Sequence, residues 1–404
     1  MRILFICPHQ VWPPVTGARL RNLHLSAALA RRTAVTLMQL RAPGEEVSDS
    51  AELRSFERIV TLERERSYTA GKIIRGLLGP EPLPVLNYRS ENVARSLRRI
   101  LLEEPFDAVQ LEGLHLLPYL NTVKELPDPP AILIDWHNIE SELMRRYAAG
   151  EKNWPKKLVA RRTAVLLEQA EARLLSGARL HTVASDRERD ALLTRSSQSD
   201  VRVLPNGVDV SRFARRQQQG ERAGAAPSLL FVGSMDYHAN IDGVTWFTKQ
   251  VWPDLHARFP DVTFSIVGRE PGPGIRGLAS ESVRVTGTVE DVLPFYERAF
   301  AVIVPLRVGG GTRLKILEAM AAGVPVISTY LGAEGLDVHH ERDILLADSP
   351  AEIISAFSRL RADERLWSEL AENGFQLVRQ KYDWESLGEQ LYSMHQQQVA
   401  VAST

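Results

Sequence analysis

The residues best suited to chemistry stand together in one segment, Val304-Pro-Leu-Arg-Val-Gly-Gly-Gly-Thr-Arg-Leu-Lys-Ile-Leu-Glu-Ala-Met. An apolar run gives way to Gly309, Gly310 and Gly311, and a helical period begins near Thr312. Glycines let backbone approach a ligand closely, and the free N–H groups at the start of the next helix favour a phosphate. Arg313 and Lys315 add positive charge where a diphosphate would sit. Glu318, one turn further on, could accept hydrogen bonds from two neighbouring ribose hydroxyls. The same residues also suit a glycine-rich turn before a solvated helix, so the segment alone leaves both readings open. It is not a Walker A loop, because no Gly-Lys-Ser/Thr closes it. The Gly-x-Gly-x-x-Gly at Gly272–Gly277 is interrupted by prolines and followed by a short polar stretch, so it reads as a turn.

A second group lies in the first half. Asp135-Trp136-His137-Asn138-Ile139-Glu140 ends a run predicted to be a buried strand, which brings its polar side chains out at the strand's carboxyl end. Glu112 and His115 close another such run.

These loops need strands and helices to hold them. Short β-branched runs alternate with longer segments of helical period, the pattern of parallel α/β units. The first half predicts strands at Arg2–Cys7, Ala34–Leu40, Arg58–Leu62, Asp107–Glu112, Ala131–Trp136, Leu180–Ala184 and Val201–Leu204, with helices at Ala18–Arg31, Ser90–Glu103 and along Glu140–Leu175. After Pro205-Asn206-Gly207-Val208-Asp209 the alternation restarts. Strands are expected at Ser228–Gly233, Val262–Val267, Val283–Thr286, Ala301–Pro305, Val324–Ser328 and Ile344–Ala347. Helices are expected at Ile241–Arg258, Val289–Ala299, Thr312–Ala322, Ala351–Gly374 and around Trp384–Gln397. The polar stretch Gln217–Ala226 reads as a mobile surface segment. The fold class is therefore α/β with two doubly wound domains, each with its own core, and ligands expected outside the carboxyl ends of the strands, in a cleft between them.

Composition is consistent with this. The chain has 404 residues, a formal charge of −1, 44% hydrophobic residues and one cysteine. A single cysteine excludes a disulfide-built scaffold, and Cys7 reads as a buried residue at the end of the first strand. The near-zero charge argues against a surface shaped for nucleic acid. No run approaches the roughly 20 apolar residues of a spanning helix, so a cytoplasmic location is expected.

With these motifs in place, the sequence resembles the retaining nucleotide-sugar glycosyltransferases of family 4, which have the GT-B fold. Leu317-Glu-Ala-Met-Ala-Ala-Gly-Val-Pro-Val-Ile carries the likeness most strongly. Leu204-Pro-Asn-Gly-Val-Asp, Leu230-Phe-Val-Gly-Ser, Phe264-Ser-Ile-Val-Gly and Val285-Thr-Gly-Thr-Val-Glu-Asp support it in the family's order. The resemblance implies an N-terminal acceptor-binding Rossmann-like domain over 1–204, a donor-binding one over 205–382, and a C-terminal helix and tail over 383–404 crossing back to the first domain. It implies sugar transfer from a nucleotide-diphosphate donor to a hydroxyl acceptor, which could be a sugar, a lipid-linked sugar or a small molecule. No separate cofactor is expected. No Asp-x-Asp occurs, so metal-independent chemistry is expected.

Glu318 matches the second carboxylate of the family's E-x7-E motif, which holds the ribose, while the first falls on Gly310. This is similar to a variant with Gly-Gly-Gly-Thr-Arg-x-Lys-x-Leu-Glu. The family's usual phosphate-binding Arg and Lys fall on Ser234 and Asn240, which makes Arg313 and Lys315 the natural replacements. Gly17 matches the N-terminal glycine loop, and Arg19 or Arg21 could face an acceptor. His137 matches the strand-end histidine near the reacting carbon, where an imidazole of ordinary pKa ~6.5 could bind the sugar or move a proton. Glu112 and His115 are acceptor-side candidates, and backbone around Thr288 and Val289 borders the base. Lys152, Lys156, Lys157, Arg161 and Arg162, interleaved with Trp154, Leu158, Val159 and Leu166, suit either a solvated helix face or peripheral contact with an anionic membrane. Bacterial exopolysaccharide or glycoconjugate assembly is the setting implied. A sugar-nucleotide epimerase and a non-catalytic sugar-nucleotide-binding subunit are the competing readings.

Overall fold

The computed structural model describes residues 1–213, 227–309 and 313–402. The chain divides into two compact units, one of Met1–Pro205 with Leu387–Thr404, the other of Asn206–Ser386. The stretch Gln217–Ala226 lies outside the described residues.

The first unit is built on a parallel sheet of seven strands: β1 (Arg2–Cys7), β2 (Ala34–Arg41), β3 (Arg58–Glu63), β4 (Ala108–Glu112), β5 (Ala131–Trp136), β6 (Leu180–Val183) and β7 (Asp200–Val203). Their order is β3-β2-β1-β4-β5-β6-β7. Ile3 to Cys7 are wholly buried, as a central strand covered on both faces requires. The order turns between β1 and β4, paired with Ile3 opposite Ala108 and Ile6 opposite Leu111. At such a turning point the loops from the carboxyl ends diverge and leave a crevice.

Helix Gly17–Ala30 follows β1, capped by Thr16, whose hydroxyl accepts from the Arg19 amide at 3.3 Å. The expected helical stretch Glu140–Leu175 is two helices, Glu140–Gly150 and Trp154–Leu175. Pro155 explains the break. It has no N–H to donate and is tolerated only in a first turn, so the helix restarts there under an Asn153 cap. The last helix, Trp384–Ala402, enters the first unit at Leu387. Its Gly388 lies so close to helix Gly17–Ala30 that a Cβ there would stand 2.2 Å from the Ala28 methyl carbon.

The second unit holds six parallel strands: β8 (Ser228–Val232), β9 (Thr263–Val267), β10 (Val283–Val285), β11 (Ala301–Val304), β12 (Val326–Ser328) and β13 (Leu345–Leu346), in the order β10-β9-β8-β11-β12-β13. Its turning point falls between β8 and β11. The helix expected at Ile241–Arg258 runs from His238 but widens at Phe247–Val251 before continuing as Trp252–Arg258. Pro253 clashes with a regular preceding turn, and the wider turn relieves it. The segment expected as one helix at Ala351–Gly374 divides at Asp363, which ends Pro350–Ala362 and caps Glu364–Lys381 through the Leu366 amide at 3.0 Å. The stretch Val289–Ala299 is helical only over Leu293–Arg298, where Pro294 sets the start.

Candidate functional site

At the first unit's turning point, side chains from β1, β4, β5 and helix Gly17–Ala30 converge. Arg21 grips Asp135 with two hydrogen bonds of 2.7 Å, and both groups are buried. Arg21 also donates to the Leu204 and Pro205 carbonyls at 2.9 and 3.0 Å, and Thr182 donates to Asp135 at 2.6 Å. Burial would raise the Asp135 carboxyl, but the Arg21 guanidinium holds it below the ordinary value.

Beside this pair, His137 Nε2 lies 3.0 Å from Glu112 Oε2. Gln110 donates to Glu112 Oε1 at 2.6 Å, and the Asn22 amide, its nitrogen facing the carboxylate, donates to Oε2 at 2.7 Å. Burial and the Asp135 charge push Glu112 up to about 7. Burial alone would lower the His137 imidazole, but the Glu112 hydrogen bond with the charges of Glu112 and Asp135 outweighs it and raises the imidazole. His9 and His115 are pushed down to about 3 and about 4 by burial and by His137, so both are neutral. Gly113 has φ +85°, and a Cβ on it would face His137 Nδ1 at 3.7 Å and His115 Nδ1 at 3.9 Å. The left-handed backbone, more than the space, favours glycine there.

Glu112, Asp135 and His137 bring ligand-type atoms within 4.8 Å of one another, the one such grouping among the described residues. The Arg21 guanidinium already occupies the cation's place on Asp135, and Glu112 is engaged by Gln110 and Asn22. The donor set suits a charge-balanced cluster better than a metal.

At the second unit's turning point, Gly233 follows β8 and Gly309 follows β11. Helix Leu314–Ala321 places Lys315 Nζ 2.7 Å from Asn240 Oδ1 and 4.1 Å above the Phe231 ring centre. A Cβ on Gly233 would stand 2.8 Å from Nζ, so the glycine makes room for the ammonium. Burial and the Arg313 charge push Lys315 down to about 7. One turn along, Tyr296 donates to Glu318 Oε2 at 2.7 Å, while burial raises the Glu318 carboxyl. Gly309 has φ +98°, and a Cβ there would meet the Ala239 methyl carbon at 2.7 Å and the Tyr237 hydroxyl at 2.8 Å.

Among the sequence candidates, His137 and His115 gather at the first turning point, while Lys315, Glu318 and Gly309 gather at the second. Gly310, Gly311 and Thr312 lie outside the described residues. Gly17 begins its helix on the surface, and Arg19 pairs with Glu45 at 3.6 Å. Glu112 is a correction: fully buried, it stands behind His137 and presents no surface to an acceptor. Arg313 is only 3% exposed, with its guanidinium turned to the Leu331 carbonyl at 3.0 Å. Thr288 is exposed at the rim of a shallow pocket of about 420 Å³ shared with Pro271, Arg276 and Gly287, and Val289 packs on the core. Sequence reasoning missed the partners Gln110, Asn22 and Tyr296, and it expected Asp135 to emerge at the strand end, where it is instead wholly buried against Arg21. It also missed Arg269, which follows β9, donates to the Ser234 hydroxyl at 2.8 Å and pairs with Asp236 at 3.6 Å. Its place just after Gly268 at a predicted strand end was a usable signal.

Two family models match the chain: Glycosyltransferase Family 4 over residues 15–212 and Glycosyl transferases group 1 over residues 226–363. A 44.6 kDa protein of the cps region of Klebsiella pneumoniae is 25% identical over 168 residues, 39% of this chain and 42% of that protein. Phosphatidyl-myo-inositol mannosyltransferase of Mycobacterium tuberculosis is 31% identical over 140 residues, 33% of this chain and 36% of that protein. The matches thus span about two fifths of these relatives' length. Among solved structures, sucrose-phosphate synthase of Thermosynechococcus elongatus superposes with a TM-score of 0.69 at 19% identity, covering 99% of this chain and 100% of that one. HepE of Anabaena in complex with UDP and glucose gives 0.63 at 17% identity, with 98% and 99% covered. Two parallel-sheet units with this strand order, matched in turn by both models, assign the chain to the family 4 glycosyltransferases of the GT-B fold.

Proposed function

We propose that this chain moves a sugar from a nucleotide-diphosphate donor to a hydroxyl acceptor, with retention of configuration and without a metal ion. The observation that carries the reading is the Lys315 ammonium, held by Asn240 in the space left by Gly233 at the start of a helix. A cation and unpaired helix-start N–H groups together stabilise a departing diphosphate. Arg269 and Gly309 add to that grip. Tyr296 fixes one Glu318 oxygen and leaves the other for ribose hydroxyls.

In the first unit His137 addresses the sugar and His115 the acceptor side. Neither carboxylate described beside His137 is presented for a covalent intermediate: Asp135 is held by Arg21 and Glu112 is buried behind His137. Displacement from one face fits instead. The bond from the anomeric carbon to the phosphate oxygen breaks as the acceptor oxygen attaches, and the acceptor's proton leaves to that phosphate oxygen.

The relatives named for mannosyl transfer to a phosphoinositide, and the structure of HepE with UDP and glucose, support nucleotide-sugar chemistry in exopolysaccharide or glycoconjugate assembly. Peripheral docking on an anionic membrane is the second part of the proposal. No helix among the described residues is long and apolar enough to cross a membrane. Helix Ala70–Leu78 exposes Ile74 at 57% and Leu78 at 80%, and helix Trp154–Leu175 exposes Trp154 at 75% and Leu158 at 61%. Arg162 joins the two by donating to the Leu77 and Gly79 carbonyls at 2.8 and 2.7 Å. Exposed apolar side chains set among Lys156, Lys157 and Arg161 suit the headgroup region of an anionic bilayer.

The test is a screen of UDP, GDP, ADP and TDP, then their sugars, by thermal shift, followed by turnover with and without acceptor. One nucleotide should stabilise the protein, and transfer should need an acceptor. Conversion of donor alone into an isomer would favour an epimerase, and binding with no turnover would favour a non-catalytic subunit.

A further inference from the structure

The cluster around Glu112 extends further than the site requires. Gln110 and Glu112 are two apart on β4 and share one face of the sheet. His395 of the last helix meets that face, its Nε2 2.7 Å from Gln110 Oε1. The Gln110 amide nitrogen is committed to Glu112 Oε1 at 2.6 Å, so Gln110 Oε1 must accept and His395 must donate from Nε2. Burial pushes the His395 imidazole down to about 3, which keeps it neutral, and the Gln110 contact sets the tautomer. Its other nitrogen, Nδ1, is buried without a hydrogen-bond partner. A buried imidazole with an unpaired nitrogen is a poor choice for packing alone; leucine would fill the place without that cost.

We infer that His395, Gln110 and Glu112 form a hydrogen-bonded relay that positions His137, so that the last helix orients the imidazole at the reacting centre. The relay rests on the reading of His137 given above. Its consequence is directional. Glu112 Oε1 is pinned from behind by Gln110, so Oε2 faces His137 Nε2 and the Asn22 amide nitrogen, which lies 2.7 Å from Oε2 and 2.9 Å from Nε2, and the ring's Nδ1 is left toward Gly113. The charged and titratable groups around it are Arg21 from the first helix, Cys7 and His9 from and after β1, His115 after β4, Asp135 from β5 and Glu140 beyond it. Glu112 and His395 are thus positioning residues, acting through His137.

The experiment compares kcat, nucleotide affinity and the His137 imidazole nitrogen shifts in the full chain for His395→Leu, His395→Gln, Glu112→Gln and His137→Ala. The relay predicts that His395→Leu lowers kcat about tenfold, the worth of one buried hydrogen bond, with nucleotide affinity unchanged. His395→Gln, whose amide can donate to Gln110, should restore most of the rate. A packing role predicts the reverse, with leucine at least as active as glutamine. Should His395→Leu fail to fold, Glu112→Gln decides: the relay predicts that His137 titrates at or below ~6.5 and kcat falls. The inference is overturned if His137→Ala is impaired while kcat and the His137 shifts are unchanged in His395→Leu, or in Glu112→Gln if that first variant does not fold. Full activity in His137→Ala would overturn the underlying reading, and the relay with it.

Discussion

Lys315 couples anion binding to protons. Its ammonium, pushed down to about 7 by burial and by Arg313, must be charged to hold a diphosphate. A bound anion favours that charge, so binding takes up a proton, and nucleotide affinity should weaken as pH rises from 7 to 9. The slope approaches but does not exceed about tenfold per unit. Titration calorimetry in buffers of different ionisation heat reads the proton directly. Glu112 and His137 set a second pH dependence. Both have folded pKa values above their unfolded ones, so both stabilise the folded state at low pH and lose that contribution as pH rises through the folded value. Stability of the first unit should fall as pH rises through neutrality, and Glu112→Gln should flatten that fall in a set of thermal melts. At Gly309 the positive φ and the close approach of Tyr237 leave no room for a methyl group. Gly309→Ala should cost about 1–3 kcal/mol in denaturant titration. The residues legible in the sequence are those that lie close together in it: Gly309, Lys315 and Glu318 on one loop and helix, His137 at a strand end. The pairs that build the cluster around His137 in the first unit are far apart along the chain. Arg21 is 114 residues from Asp135, and His395 is 285 from Gln110, so no local pattern joins them.

At the scale of elements, helix Gly17–Ala30 is tied to the sheet by charge as well as by packing. Arg21 spans from that helix to Asp135 on β5 and to the carbonyls just past β7. Arg21→Met would leave Asp135 buried and uncompensated, at a cost of about 3–5 kcal/mol by denaturant titration. Because Asp135 is held below its ordinary value, the pair's contribution is present above the unfolded carboxylate's pKa near ~3.9 and is lost as pH falls through the folded one. The strands are readable from their apolar runs, since a central parallel strand is buried on both faces and cannot alternate. Helix ends are read less well. Pro155, Pro253 and Pro294 each set a start or a distortion that periodicity passes over, and Asp363 caps a helix where the apolar pattern runs on unbroken.

For the whole molecule, a formal charge of −1 conceals local concentration. The basic stretch after residue 144 is visible in sequence, but the apolar face of Ala70–Leu78 beside it is not, because only Arg162 and the fold bring the two together. Vesicles rich in anionic lipid should sediment the protein at low salt and lose it at high salt. Leu78→Glu with Trp154→Glu should abolish that binding while leaving nucleotide affinity intact. Whether the second unit grips a nucleoside diphosphate through Lys315 is read by calorimetry of UDP, GDP, ADP and TDP on the wild type and on Lys315→Ala. One nucleotide should bind, and the variant should lose about tenfold or more in affinity, as removal of a charge-assisted contact requires. Unchanged affinity in the variant, or no binding of any of the four, would contradict such a grip.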